Sequence, residues 1–306
     1  KFHSTFIDSI QRYVHKGRIH SEINQLRSDQ GGTVSGRLSY SNPNLQQIPA
    51  RNKEYGDKIR SLFLPEEGRQ WGSFDYSQQE PRLVAHYAAS VDQQFTGADD
   101  FIEAYKNEAA DFHQIVADMA GISRTHAKTI NLGLFYGMGK AKLAKELGIS
   151  KDRAESLLNQ YHSKVPFVKK LAEAVTTSAS KYGFIRTIRG RKCRFDMWEP
   201  STFGMNKAMH YEEAKAIYGN NIRRAFTYKA LNRLIQGSAA DMTKKAMVDL
   251  YKEGITPHIQ VHDELDISVE SKAHADRIKE IMEGAVNLEV PNKVDHESGP
   301  NWGNVK

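Results

Sequence analysis

Two aspartates stand where chemistry is possible. Asp75 closes an alternating run, Trp71 to Ser77 (WGSFDYS), that reads as a strand, and Asp263 and Glu264 sit at the tip of a hairpin pattern in HIQVHDELDISV, residues 258–269. Carboxylates at strand ends can converge although far apart in the chain. Hard oxygen ligands of this kind suit Mg²⁺, which takes one or two carboxylates and fills its shell with substrate phosphates. Phosphoryl transfer uses two such ions about 4 Å apart, one lowering the pKa of an attacking hydroxyl and one neutralising the leaving group. The spacing also accommodates a plainer reading, in which Asp and Glu at a hairpin tip are solvated turn residues. Zinc does not fit: Cys193 is the single cysteine, and VHDEL lacks the second His of HExxH.

A second constellation lies in RTHAKTINLGLFYG. Arg124, Lys128, Leu132 and Tyr136 recur every four residues and on a helix form one slowly drifting stripe. Two cations, an apolar contact and an aromatic ring follow the order of a nucleoside triphosphate: phosphates, sugar, base. An amphipathic helix with a basic solvated edge has the same pattern. The nearby GMGKAK is no P-loop, because Gly133 is one residue too far from Gly139-Lys140 and Ala141 replaces the required Ser or Thr.

The elements that must position these groups are legible in outline. Residues 27–49 read as loops and short strands, 79–89 as a helix with Leu83, Tyr87 and Ala88 on one side, and 101–175 as helix-rich up to Pro166. Residues 182–195 (YGFIRTIRGRKCRF) read as a hairpin or loop with five positive side chains, 207–250 as helical, and 272–287 as a further helix. Strands at both ends would form one mixed sheet, and the long helical excursion would stand beside it as a separate subdomain.

With 306 residues and 39% hydrophobic content the chain can bury a substantial core. A net charge of +6 permits a polyanionic partner without demanding one. A single cysteine allows no internal disulfide and suggests a reducing, cytoplasmic setting. No apolar run is long enough to span a bilayer. The N-terminal KFHSTFIDSIQRYVHKGRIH lacks both a signal-peptide profile and an initiator Met, so the chain reads as a fragment of something longer.

Taken together, the motifs resemble those of the family A DNA polymerases. TVSGRLSYSNPNLQQIPAR is similar to the segment before the family's first catalytic motif, and DYSQQEPR (75–82) resembles that motif. RTHAKTINLGLFYG (124–137) is similar to the second and VHDE (261–264) to the third. LNRLIQG resembles a DNA-contacting helix. The matches come in the family's order over nearly the whole chain.

The resemblance implies an α+β right-hand polymerase: an antiparallel palm sheet from residues 1–92 and 229–306, and helical fingers from 93–228. The thumb and the 3′–5′ exonuclease domain would lie before residue 1, and duplex grip would be poor without them. It implies template-directed addition of deoxynucleotides to a DNA primer, with dNTP and primer-template DNA as partners. Asp75 and Asp263, with the Tyr76 carbonyl, would hold two Mg²⁺. His113, Arg124 and Lys128 would bind the triphosphate, and Lys128 would protonate the departing pyrophosphate. Leu132 would meet the sugar and Tyr136 would stack near the nascent pair. Glu80 would exclude a ribose 2′-OH. Arg37, Asn232, Gln236 and His262 would face the primer-template, testing minor-groove acceptors shared by all correct pairs. The resemblance fixes no role for Glu264 or Gln78. A monomer without membrane association is implied, no processivity factor is identifiable, and the fingers are expected to rotate on nucleotide binding.

Several positions depart from the pattern. Leu132 stands where bacterial members usually carry Phe and some phage members Tyr. Gln79 and Pro81 replace the common Ile and Leu, Tyr228 replaces an Arg that faces DNA, and residues 196–220 form an unusually long segment with no assigned role. These departures look phage-like. A single-subunit RNA polymerase shares the architecture, but Glu80 opposes it. An inactive DNA-binding module is opposed by the intact Asp75, Asp263, Arg124 and Lys128.

Overall fold

The computed structural model describes residues 3–29, 31–49, 55–90, 98–106, 111–135, 138–202, 204 and 207–305. The strands in chain order are β1 (Val14–His15), β2 (Arg18–Ile19), β3 (Glu22–Asn24), β4 (Ser39–Ser41), β5 (Gln70–Tyr76), β6 (Phe184–Arg186), β7 (Lys192–Arg194), β8 (Trp198–Pro200), β9 (Ile222–Arg224), β10 (Ile259–Val261), β11 (Glu264–Val269) and β12 (Val294–Gly299). The helices are α1 (Ser9–Gln11), α2 (Gly56–Arg60), α3 (Gln79–Ser90), α4 (Ala98–Lys106), α5 (Phe112–Ala120), α6 (Arg124–Phe135), α7 (Lys140–Leu147), α8 (Lys151–Lys164), α9 (Pro166–Tyr182), α10 (Tyr211–Tyr218), α11 (Ala230–Lys252) and α12 (Lys272–Gly284). Among the described residues no helix is long and apolar enough to cross a membrane.

The chain folds as two compact units. The first comprises Lys1–Gln79, Ala239–Asn287 and Asn292–Lys306. Its centre is a sheet in the order β10-β11-β5-β12, antiparallel at every pairing. The mixed sheet read from the strand pattern is therefore corrected, and the antiparallel sheet that the resemblance implies is found: β10 and β11 are joined by a two-residue turn, and both flanking strands run against β5. Alternation along β5 sends its side chains to two faces. On one face Phe74 stacks on His296 at 4.5 Å, and the Tyr76 hydroxyl donates to the Met282 carbonyl of α12 at 2.6 Å. On the other, Trp71 stacks on Trp302 at 6.0 Å within a buried cluster that includes Leu38, Tyr40, Ile59 and Ile259. Burying Trp71 requires a partner for its indole N–H, and Asp266 accepts it at 2.8 Å.

The second unit comprises Glu80–Ser238 and Leu288–Pro291. Its helices are punctuated by the residues that the backbone demands. The Asp111 side chain accepts from the His113 and Gln114 N–H groups and caps α5, and Ser150 caps α8. Pro166 ends α8 but opens α9, where its missing N–H costs nothing. The buried stripe Phe167, Val168, Leu171, Val175 and Ala179 turns α9 inward.

Two hairpins follow, β6–β7 and β8–β9. The helical reading of 207–250 is thereby corrected. Helix occupies 211–218 and 230–252, while Gly219 stops the first of these and Ile222–Arg224 pairs back with Trp198–Pro200. Gln79, at the head of α3, is buried and donates to the Ala239 carbonyl and the Thr243 hydroxyl, so the polar residue is satisfied where the family usually has Ile. Pro81 falls in the first turn of α3, where N–H groups have no helical partner.

Candidate active site

Sheet register assembles the acidic group. Asp75 lies directly opposite Glu264 on β11 and opposite Asp295 on β12. Cross-strand partners share a face, so three carboxylates form one row. The ladder runs one step further, where the Tyr76 N–H donates to the Asp263 carbonyl at 3.4 Å and brings the hairpin turn alongside the end of β5. Like charges placed directly opposite destabilise a sheet. The cost appears in the titration of Asp75. Its carboxylate keeps contact with water, yet crowding by protein and then the charges of Asp263, Glu264, Asp295 and Glu297 push it up to about 8. Burial also raises Asp263, while its own backbone N–H, Arg37 and His262 hold it down in part and Glu264 adds to the rise.

This row fits divalent cations. Its donors are hard oxygens, its charge is mutually repulsive, and Asp75 and the adjoining Asp263 are more basic than ordinary carboxylates. Among the described residues no group of three or more His, Cys, Asp or Glu side chains is placed to hold a metal ion. Mg²⁺ would need only one or two of these carboxylates, with substrate phosphates completing its shell. Two residues beside the row hold left-handed backbone, Gln78 at φ 53° and His262 at φ 58°. Such conformations cost energy in non-glycine residues and tend to gather at functional sites.

The same unit brings in Arg37 and His262, which share a small cavity with Gln260, Thr243 and Lys244. Gln260 donates to the His262 carbonyl at 2.6 Å and fixes the hairpin tip. Glu264 is no solvated tip residue. It opens β11 and accepts from Ser73 Oγ at 2.6 Å. Beyond it Asp266, fully buried, is raised well above the ordinary carboxylate range by burial and by Glu264. Asp266 and Ser73 escaped the sequence reading, because alternation marks them as inward-facing without saying what they meet.

In the second unit α6 carries Arg124, Lys128 and Leu132. Arg124 and Lys128 are exposed. The side chain of Leu132 and the whole of Tyr136 lie outside the described residues. Arg124 donates from Nε and Nη2 to Asp111 Oδ2 at 2.9 and 2.6 Å. The cap of α5 therefore also holds the first cation of the stripe. His113 is buried beside them, and burial, with Lys128 and Arg124, lowers it to about 4 against the pull of Asp111.

The tautomer of His113 follows from its neighbours. The Tyr161 hydroxyl donates to Asn131 Oδ1 at 2.7 Å, which turns Asn131 Nδ2 toward His113 Nδ1 at 3.1 Å. Nδ1 is then the acceptor, and Nε2 carries the proton. His113 is thus a neutral hydrogen-bond donor. Asp111, Asn131 and Tyr161 were not predicted. Asp111 alone had a signal, a cap residue just before a helical pattern.

Asn232 and Gln236 lie one turn apart near the start of α11, both half-buried. Asn232 Nδ2 is buried without a hydrogen-bond partner among the described residues, which marks a position where an acceptor would be welcome. Glu80 lies in the first turn of α3.

Comparisons with known proteins identify the family and the fold. A sequence model of DNA polymerase family A matches residues 1–304. The chain is 38% identical to a DNA-directed DNA polymerase of Pseudomonas phage M6, over 99% of this chain and 49% of that protein. It is 33% identical to DNA polymerase I of Pseudomonas aeruginosa, over 99% of this chain and 32% of that protein. It therefore spans half or less of the length of these relatives. The fold matches the POL domain of Pol1 from M. smegmatis, solved in complex with DNA primer-template and dNTP, with a TM-score of 0.77 and 31% identity over 97% of this chain and 50% of that one. A family match over essentially every residue, a shared fold and an acidic row at the end of an antiparallel sheet lead to one assignment: the chain belongs to DNA polymerase family A.

Proposed function

We propose that the chain carries the nucleotidyl-transfer machinery of a template-directed DNA polymerase, adding deoxynucleotides to a DNA primer 3′ end and releasing pyrophosphate. The observation that carries this reading is the row Glu264–Asp75–Asp295 with Asp263 beside it. The first unit acts as the palm and the second as the fingers.

Asp75 and Asp263, with the Tyr76 carbonyl, would hold two Mg²⁺, which when bound supply an activated primer hydroxyl and charge neutralisation at the leaving pyrophosphate. The chain's own residues do the rest. Arg124 and Lys128 grip the triphosphate as charged donors, and His113 adds a neutral N–H from Nε2. Lys128 gives its proton to the pyrophosphate as it leaves. Glu264, held by Ser73, keeps the local field negative and orients the end of β11. Arg37, Asn232, Gln236 and His262 present donors and acceptors to the primer-template.

Primer extension with Mg²⁺ on templates of defined sequence tests the reading. Template-coded dNTP addition is expected; template-independent or absent synthesis would overturn it, and an rNTP preference would favour the RNA polymerase alternative. Two substitutions probe substrate choice. Glu80→Ala should relax sugar discrimination, raising rNTP use relative to dNTP by about tenfold or more, since rejecting one extra hydroxyl sterically is worth about 1–3 kcal/mol. A Leu at position 132 cannot hydrogen-bond in place of a missing 3′-hydroxyl, so wild type should discriminate against dideoxynucleotides. Leu132→Tyr should raise ddNTP incorporation relative to dNTP, and an unchanged ratio would remove Leu132 from the sugar site.

A further inference from the structure

Three helices of the second unit meet at one buried polar chain. Asn131 on α6 and Tyr161 on α8 are each 0% exposed, and His113 on α5 is 9% exposed. Nearby positions on the same helices are apolar and also buried: Phe112, Val116, Ala127, Ile130 and Leu157. A polar chain in such a core costs free energy unless its donors and acceptors are met. Apolar side chains would join the three helices without that cost, so stability alone does not call for it.

The chain has a direction. The Tyr161 hydroxyl has one proton to give, and among the described residues Asn131 Oδ1 is its one acceptor, at 2.7 Å. Turning the Asn131 amide over would set Nδ2 against that hydroxyl and leave the phenolic proton unmet, away from water. The order of donors is thus set from the Tyr161 end. Asn131 Nδ2 donates to His113 Nδ1 at 3.1 Å, and the ring proton stays on Nε2.

The charges around His113 make that choice matter. Burial holds the ring neutral, and Lys128 and Arg124 on α6 add to this against Asp111 at the cap of α5. α8 brings the neutral Tyr161 hydroxyl, and α4 brings Tyr105, whose ring meets Phe112 at 6.4 Å. A third cation beside Arg124 and Lys128 would be repelled by both. A neutral N–H is not repelled, and it still offers a phosphate oxygen a hydrogen bond. With its proton on Nδ1, the same ring would present a lone pair on Nε2 to the anion and repel it.

We propose that Asn131 and Tyr161 are positioning residues for nucleotide binding: they lock the His113 proton on Nε2, so that the ring meets the triphosphate as a neutral donor. The lock follows from the buried chain. Its purpose rests on the placement of His113 at the triphosphate in the polymerase reading.

Ring-nitrogen NMR of protein labelled with ¹⁵N-histidine reads the lock, with the His113 signals assigned by their loss in His113→Ala. Calorimetric titration of Mg·dNTP into the complex with a dideoxy-terminated primer-template reads the purpose. In wild type Nδ1 should give the signal of an unprotonated nitrogen and Nε2 that of a protonated one. Tyr161→Phe frees the Asn131 amide to turn. The Nδ1–H form should then appear, and dNTP affinity should fall about three- to tenfold, the worth of one neutral hydrogen bond. In a His113→Ala background the same change should cost no further affinity. Asn131→Asp should draw a proton to Nδ1 and raise the pKa of His113. Its dNTP affinity relative to wild type should then fall about tenfold as pH rises through that pKa, where Nε2 loses its proton. Tyr161→Phe keeps the ring in the core, so the test stands even where Asn131→Asp does not fold.

A wild-type proton on Nδ1, or an unchanged spectrum in Tyr161→Phe, would overturn the lock. An affinity loss in Tyr161→Phe that persists in full without His113 would overturn it as well, since a merely structural tyrosine acts without the histidine. If His113→Ala binds dNTP as wild type does, the placement of His113 at the triphosphate fails and the nucleotide role falls with it. Calorimetry shows that failure, and the ring-nitrogen spectrum does not.

Discussion

Asp75→Asn and Asp263→Asn should each lower single-nucleotide incorporation by at least about a thousandfold while leaving primer-template affinity within a few fold. Charge stabilisation through a metal site is worth several kcal/mol at the transition state, and each 1.36 kcal/mol is a factor of ten. A lost carboxylate could also act by damaging the fold, and stability distinguishes the two cases. The folded protein pushes Asp75 up from 3.8 to about 8. Between those values the folded chain binds more protons than the unfolded one. The contribution of Asp75 to stability is thus present below the lower value and is lost as pH rises through the upper one. In the absence of divalent ions, wild type should lose thermal stability from about pH 4 to about pH 8 more steeply than Asp75→Asn, and the variant should melt higher at pH 8. An inactive variant that melts lower than wild type at pH 8 would indicate a structural role.

Lys128→Ala should produce the next largest loss, about 10² to 10⁴-fold in the rate of the chemical step, the usual contribution of a general acid. Arg124→Ala should act differently. It removes charge-assisted hydrogen bonds to phosphate worth about 1.5–3 kcal/mol each, and the loss should appear mainly as weaker dNTP binding. Single-turnover kinetics over a dNTP titration separates the two, giving a maximal rate and an apparent Kd for each variant. A Lys128→Ala enzyme with a normal maximal rate and a weakened Kd would make Lys128 a binding residue and no acid. His113 should contribute no inflection to the pH profile from 5 to 9, since it is held neutral with a pKa lowered to about 4.

Much of the site was readable because its signals are local. The alternation of Trp71 to Tyr76 placed Asp75 at a strand end, and two apolar runs around His262-Asp263 announced a hairpin. The four-residue stripe on α6 is likewise local in sequence. What escaped depends on pairs that no local pattern specifies. Arg124 meets Asp111 thirteen residues away, His113 takes its tautomer from Asn131 and Tyr161, and Trp71 finds Asp266 across 195 residues. The stretch 219–229 was misread for a related reason. Its short strand is stabilised by pairing with Trp198–Pro200 and carries too few residues to show a period of its own. Sheet direction also depended on partners, and the antiparallel arrangement emerged from the register of β5 with β11 and β12.

The central claim is that Asp75 and Asp263 together hold the ions of nucleotidyl transfer. Mn²⁺, a paramagnetic substitute for Mg²⁺, can be counted by electron paramagnetic resonance on the protein with primer-template and a non-hydrolysable dNTP analogue. Two bound Mn²⁺ per chain are predicted for wild type, with loss of tight binding in both Asp75→Asn and Asp263→Asn. Equal Mn²⁺ stoichiometry and affinity in wild type and both variants would contradict the account.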